Sequence, residues 1–216
     1  MRNVTLSLAL AGLFSLRALA GEAPNNLVNL KVKLFNYAKV SQRTLSEAKE
    51  TATAIFRREG IHIEWLDCPI SPEEVDQYPA CTAVSSPLTP NMKLIDEVMT
   101  KGFPRRPGEL GFALLDGQTG YGTDSWIFFQ KVRDSAEATS SGLRLVLGNA
   151  MAHELGHLLL GTGQHTRTGI MRPDWDRESL RRAERGELGF TREQATRMRV
   201  RIAARFQAVI GTATLR

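Results

Sequence analysis

The sequence predicts an α+β domain: a mixed sheet, one long buried helix through its middle, and helices at its C-terminal end. Three observations predict it. Residues 27–66 read as strand, helix and strand, a length that suits a parallel pair joined by a right-handed crossover. Two further runs that read as strands, the second rich in aromatic and β-branched residues, flank a glycine-rich loop. From Gly142 onward, apolar residues recur at helical spacing with arginines between them. A composition 42% hydrophobic and 24% charged is that of a globular chain and excludes a disordered one.

The first twenty residues, MRNVTLSLALAGLFSLRALA, stand apart. One early Arg, an apolar run from Val4 to Leu16 and the small-residue ending Ala18-Leu19-Ala20 are the layout of a secretory signal peptide. The run is short for a membrane span, and no second long apolar segment follows. Arg17 beside the cleavage point leaves an uncleaved anchor as the alternative. Expected is a signal peptide over 1–20, no membrane span after its removal, and one domain over 21–216 that is secreted or periplasmic. The two cysteines fit that compartment. Cys68 and Cys81 lie in DCPISPEEVDQYPAC, which reads as a surface loop, and in an oxidising space they most simply form one disulfide.

The elements follow in order. LVNLKVKLFNYAKV alternates well enough for a strand from Leu27 to Tyr37. In TLSEAKETATAIFRREG, Thr44 and Glu47 read as a capping box ahead of a stripe formed by Leu45, Ala48, Ala52, Ile55 and Phe56, and Gly60 suits the helix end. IHIEWL places Ile61, Ile63 and Trp65 on one face of a second strand, with His62 an ordinary strand residue. MKLIDEVM fits either a strand or a short helix. GELGFALLDG reads as a strand near Leu110 to Leu115, GQTGYGTD as a loop, and SWIFFQKV as a strand. That loop lacks the Lys-Ser/Thr ending of a phosphate-binding loop and precedes a strand, so it carries no phosphate site.

Gly142 to Leu160 is apolar on much of its circumference and should be a buried helix. DRESLRRAERGE and FTREQATRMRVRIAARFQAVI read as two more helices. Thr191 and Gln194 form a capping box on the last, and Met198, Ile202, Phe206 and Val209 line one side. The formal charge of +5 comes largely from arginines of this region, read as the solvated faces of amphipathic helices. No aromatics interleave with them as nucleic-acid platforms require, so no nucleic-acid partner is expected.

The chemistry lies in AMAHELGHLLLGTGQHTRTGIMRP, residues 150–173. On a helix, residues four apart stand one turn apart on one face, so His153 and His157 can aim two imidazoles at one point. Imidazole is a good zinc ligand, and Glu154, offset by about 100° around the axis, can reach a water without binding the metal itself. Buried without a metal, two histidines and a glutamate would lose their hydration uncompensated. A catalytic zinc needs a third ligand and one open position. His165 is the sole further imidazole nearby, and Gly161 and Gly163 let the chain turn back toward the helix. A glutamate or aspartate further on, Glu178, Glu184, Glu187, Asp174 or Asp176, is the alternative third ligand, as in a gluzincin-like site.

His153-Glu154-x-x-His157, a glycine turn, His165 and then Met171 in GIM resemble the metzincin clan of zinc endopeptidases. The resemblance extends to the order of strands and helices, over most of the mature chain. The spacing departs from the clan's HExxHxxGxxH pattern, which would place glycine at 160 and histidine at 163, where this chain has Leu160 and Gly163; His165 comes two residues later. The resemblance implies a zincin-like fold and bound Zn2+ held by His153, His157 and His165. It also implies Glu154 as general base on a zinc-activated water, and a methionine turn at Met171. The substrate would be a peptide or protein, held along the strand Gly111 to Leu115 with the Gly117–Gly122 loop on its rim. Tyr121 in that loop is given no role. The expected molecule is a monomeric zinc metallopeptidase. A zinc hydrolase of non-peptide amides and a non-catalytic zinc-stabilised binding protein are the alternatives.

Overall fold

The computed structural model describes residues 28–75, 77–103 and 108–213. The signal-peptide reading, over 1–20, lies outside the described residues, as does the start of the first strand at Leu27.

Five strands form one mixed sheet in the order β2-β1-β3-β5-β4: β1 Val28–Asn36, β2 Ile61–Cys68, β3 Asn91–Ile95, β4 Gly111–Leu114 and β5 Asp124–Phe128. β1 pairs in parallel with β2 and β3, and β3 in parallel with β5; β4 alone runs antiparallel, at the edge beside β5. The crossover between β1 and β2 is helix α1, Gln42–Arg58, whose buried stripe is the expected Leu45, Ala48, Ala52, Ile55 and Phe56. Its start is earlier than expected. Ser41, not Thr44, is the N-cap, its Oγ accepting from the Thr44 N–H, while Glu47 pairs with Arg43 and Arg144. The serine is four residues ahead of Leu45, the first residue of the apolar stripe, so periodicity alone could not place it.

The ambiguous MKLIDEVM contains both a strand and a helix: β3, then the short helix α4, Glu97–Thr100, capped by the Asp96 carboxylate. The segment between the cysteines holds two short helices, α2 Pro72–Val75 and α3 Pro79–Thr82, and Cys68 and Cys81 are joined as a disulfide. The segment is also held from within the sheet. Lys33, buried on β1, turns its ammonium to the carbonyls of Cys81 and Ala83 and to Ser85 Oγ. Desolvation lowers the pKa of this ammonium, against the pull of the Asp124 carboxylate.

Helix α5, Phe129–Thr139, follows β5 directly and takes in FQKV, the second half of the run SWIFFQKV that the sequence reads as strand. Only Val132 and Ala136 of it are buried, one pair four residues apart, too little to register as a stripe. Helix α6, Leu143–Leu160, is buried without a break from Val146 to Leu160. It packs against α1, and Gly148 permits the close approach: a Cβ there would lie 2.5 Å from Thr51 Cβ. Helices α7, Arg177–Glu184, and α8, Arg192–Ala213, complete the chain. The capping box on α8 is as expected: Thr191 N–H donates to Gln194 Oε1 at 2.9 Å, and Gln194 N–H to Thr191 Oγ1 at 3.3 Å.

The α8 residues differ from expectation in two respects. Met198 and Ile202 are fully buried, but Phe206 is 37% exposed, and the side chain of Val209 lies outside the described residues. Not every arginine is on a solvated face. Arg205 is buried, donating to the Leu158 carbonyl at 2.8 Å in the last turn of α6, where the helix dipole favours a cation. Desolvation pulls it down to about 10, still charged at neutral pH. Arg201 and Arg205 each lie 4.9 Å from the ring of Tyr121, which ties the Gly117–Gly122 loop to α8.

Candidate metal centre

The centre is built on α6. Two imidazoles four residues apart face the same way because the helix brings them there, and both are buried. Gly161 ends the helix in the left-handed region at φ 65°, with its N–H on the His157 carbonyl at 2.9 Å. A side chain is doubly excluded there, since a Cβ would also lie 2.8 Å from the Gly120 carbonyl oxygen. The chain then returns past Gly163 and brings in His165, less buried than the other two. A bond from Thr166 N–H to the Met171 carbonyl, 2.8 Å, closes the following turn, and Gln194 of α8 holds Thr166 Oγ1 at 3.2 Å.

His153, His157 and His165 are thus brought together, with one ligand atom from each lying within 4.8 Å of the others. His153 Nε2 is 3.0 Å from His157 Nε2 and 3.3 Å from His165 Nε2. The other ring nitrogens settle what faces the centre. His153 Nδ1 is 2.8 Å from the Ile170 carbonyl and His157 Nδ1 is 2.7 Å from that of Thr162. A carbonyl can only accept, so both Nδ1 atoms carry the proton and both Nε2 atoms present lone pairs. Two acceptors 3.0 Å apart cannot satisfy each other. Burial drives His153 down to about 3, helped by the proximity of His157, and drives His157 down to about 4, so both are neutral. Neutral imidazoles with converging lone pairs are the donor set of Zn2+. A tetrahedral zinc with ~2.0–2.1 Å bonds sets its nitrogen ligands ~3.4 Å apart, close to the spacing seen. The donors fit the ion.

Glu154 is buried beside the triad, its side chain against Gly111 of β4. Desolvation raises its carboxyl well above the ordinary carboxylate range, with like-charge repulsion from Glu109 added. The triad and Glu154 open into one cleft of about 630 Å³, walled by residues 108–113 on one side and by Lys131, Asp134 and Ser135 of α5 on another. Trp175 closes a third side; its Nε1–H donates to the same Ile170 carbonyl at 3.2 Å, and its ring stands edge-on to His153 at 5.6 Å.

The alternative acidic ligands lie elsewhere. Glu178 is paired with Arg181 and Arg185, Asp176 caps α7, and Glu187 is paired with Arg185. Asp174 lines the cleft, but among the described residues no His/Cys/Asp/Glu group apart from the three histidines comes together at ligand spacing. His62 is exposed on β2. Tyr121 does not line the cleft. Sequence reasoning missed Glu109, Trp175 and the α5 wall. Glu109 and Trp175 stand in loops with no periodicity, and only the fold brings them to the helix.

The fold and the triad define an α+β chain with an imidazole metal centre in an open cleft. No protein-family model matches the sequence, and no curated protein does. Solved structures do resemble it. Archaemetzincin from Methanopyrus kandleri is 15% identical, with 81% of this chain and 96% of that one covered and a TM-score of 0.49. A zinc-dependent peptidase from Methanocorpusculum labreanum is 13% identical over 77% of this chain and 99% of that one, at 0.48. Metalloproteinase-II from Bacteroides fragilis is 11% identical over 82% and 54%, at 0.45. At such identities these are likenesses of shape, and the chemistry is read from the side chains themselves.

Proposed function

We propose that this chain is an exported zinc-dependent endopeptidase of metzincin type, with His153, His157 and His165 as metal ligands and Glu154 as general base. The observation that carries the proposal is three imidazoles converging beside a buried carboxylate in one open cleft. A purely structural site has no use for that carboxylate and tends to close with a fourth His or Cys. Both cysteines are joined to each other in another part of the fold.

Zinc bound by the triad supplies Lewis acidity, lowering the pKa of water and polarising a carbonyl. The chain's own residues do the rest. The Ile170 and Thr162 carbonyls hold two imidazoles in the ligating tautomer. A Glu154 carboxylate oxygen takes a proton from the attacking water and passes it to the leaving amine nitrogen. Desolvation suits it to that exchange, because a carboxyl with a raised pKa is the stronger base. Among the described residues β4 is an edge strand of the sheet and borders the cleft, so an extended peptide can add as a further strand there. The Cys68–Cys81 disulfide supports an oxidising compartment, and with it the reading of residues 1–20 as a signal peptide; residues 21–216 would then be the catalytic domain.

Metal analysis of the secreted, mature protein beside a chelator-sensitive peptide-cleavage assay tests this. Expected are an N-terminus near Gly21, one zinc per chain, and cleavage lost on chelation. Glu154→Gln should keep the zinc and lose about 10²–10⁴-fold in turnover. Unchanged cleavage by metal-free protein, or by Glu154→Gln, would overturn the proposal; hydrolysis of small amides but no peptide would favour the non-peptide reading.

A further inference from the structure

Gly111 opens β4, the strand that walls the cleft, and it is buried. Its backbone conformation does not call for glycine, since it is absent from the glycines of positive φ. Space does. A Cβ built on Gly111 would lie 2.6 Å from Glu154 Cγ, 2.7 Å from Glu154 Oε1 and 2.5 Å from the Trp126 carbonyl oxygen. All three fall far inside the ~3.5–4.0 Å of ordinary non-bonded contact between carbons. A glycine inside a strand weakens the strand and marks close approach by another group; here the approaching group is the carboxylate of α6.

We infer that Gly111 is a positioning residue for Glu154: its missing side chain is the space in which the carboxylate lies. The inference rests on the reading of Glu154 as the base. The two neighbours that a methyl group would meet differ in stiffness. The Trp126 carbonyl belongs to β5, which is paired on both sides, by β3 and by β4. A methyl group therefore strains the β4–β5 pairing whatever Glu154 does, and it also displaces the Glu154 carboxylate, the end of a side chain with rotatable bonds. None of the three atoms nearest the added carbon belongs to a histidine.

The test is Gly111→Ala in the full mature chain, read in two ways. In peptide cleavage, kcat should fall about 10²-fold, as for a misplacement on the order of 1 Å, with bound zinc and KM nearly unchanged. In thermal melts of the metal-free protein, Gly111→Ala should lower Tm, and should lower it by less when combined with Glu154→Ala, which removes one of the two groups it strikes and leaves the Trp126 carbonyl. If Gly111→Ala does not fold, folding of the double variant supports the inference and its failure to fold overturns it. Equal Tm losses in both backgrounds, wild-type kcat, or zinc lost together with activity would also overturn it. A wild-type protein that cleaves no peptide would sink the proposed function while the melts still decide the steric coupling; an inactive Glu154→Gln beside a fully active Gly111→Ala would do the reverse.

Discussion

Gly156 and Met171 are in direct contact: a Cβ on this glycine, between the two helical histidines, would lie 2.7 Å from Met171 Sδ. It would meet Phe190 Cε1 at 2.7 Å as well, and Met171 is fully buried. The glycine of HELGH is therefore the seat of the methionine, and the methionine packs the turn that carries Ile170 against the metal helix.

Gly156→Ala should destabilise the protein by about 1–3 kcal/mol through overpacking, although alanine is the better helix former. Met171→Ala should cost about 2–5 kcal/mol through the cavity it leaves. The double variant should cost less than the sum, because each change relieves the other. Urea unfolding of the four proteins measures this, and strict additivity would show that the two residues do not share the space.

His165→Ala should strip the metal, since two imidazoles on one helix turn hold zinc poorly. Glu178→Ala should leave zinc content unchanged and cost under about 1 kcal/mol, because its ion pairs with Arg181 and Arg185 are exposed. Zinc titration against a chromogenic chelator distinguishes them. Retained affinity in His165→Ala would place the third ligand elsewhere.

Reducing the disulfide, or replacing Cys68 and Cys81 with serine, should lower stability by about 3 kcal/mol on the loop-entropy model. The loss should be moderated by Lys33, whose ammonium holds the same segment through the Cys81 and Ala83 carbonyls. Lys33→Met in the reduced protein should then cost more than in the oxidised one. Denaturation curves with and without reductant supply both comparisons, and equal costs would show that the tethers are independent.

Asp124 gives the fold an acid limit. Burial alone would raise its carboxyl, but hydrogen bonds from Lys93 at 2.8 Å, Asn91 at 3.0 Å and Thr123 at 2.8 Å outweigh burial and hold it below the ordinary range. A folded-state pKa below the unfolded value of ~3.9 means that its stabilisation is complete above that value and fades as pH falls through the lower one. Asp124→Asn should lower stability by roughly 1 kcal/mol at neutral pH, and by less as the acid range is entered. A variant whose deficit stays constant from pH 7 to pH 2 would contradict the assignment; melts across that range measure it.

What the sequence by itself determined is local. The α8 capping box, the stripe of α1, the breaker at Gly161 and the facing of His153 and His157 each depend on residues within a turn or two, where spacing alone sets geometry. The same locality explains the errors: Ser41 caps α1 from outside its apolar stripe, and α5 buries too few residues to announce itself. Only the tertiary structure decided the rest. His165 joins the centre through a turn held by Thr166, Met171 and Gln194; Gly111 and Glu109 reach Glu154 from β4 and the loop before it; Arg205 is buried under α6 rather than solvated. These relationships join residues tens of positions apart, on elements whose approach is set by how side chains fill the core between them, and no periodicity along the chain encodes that distance.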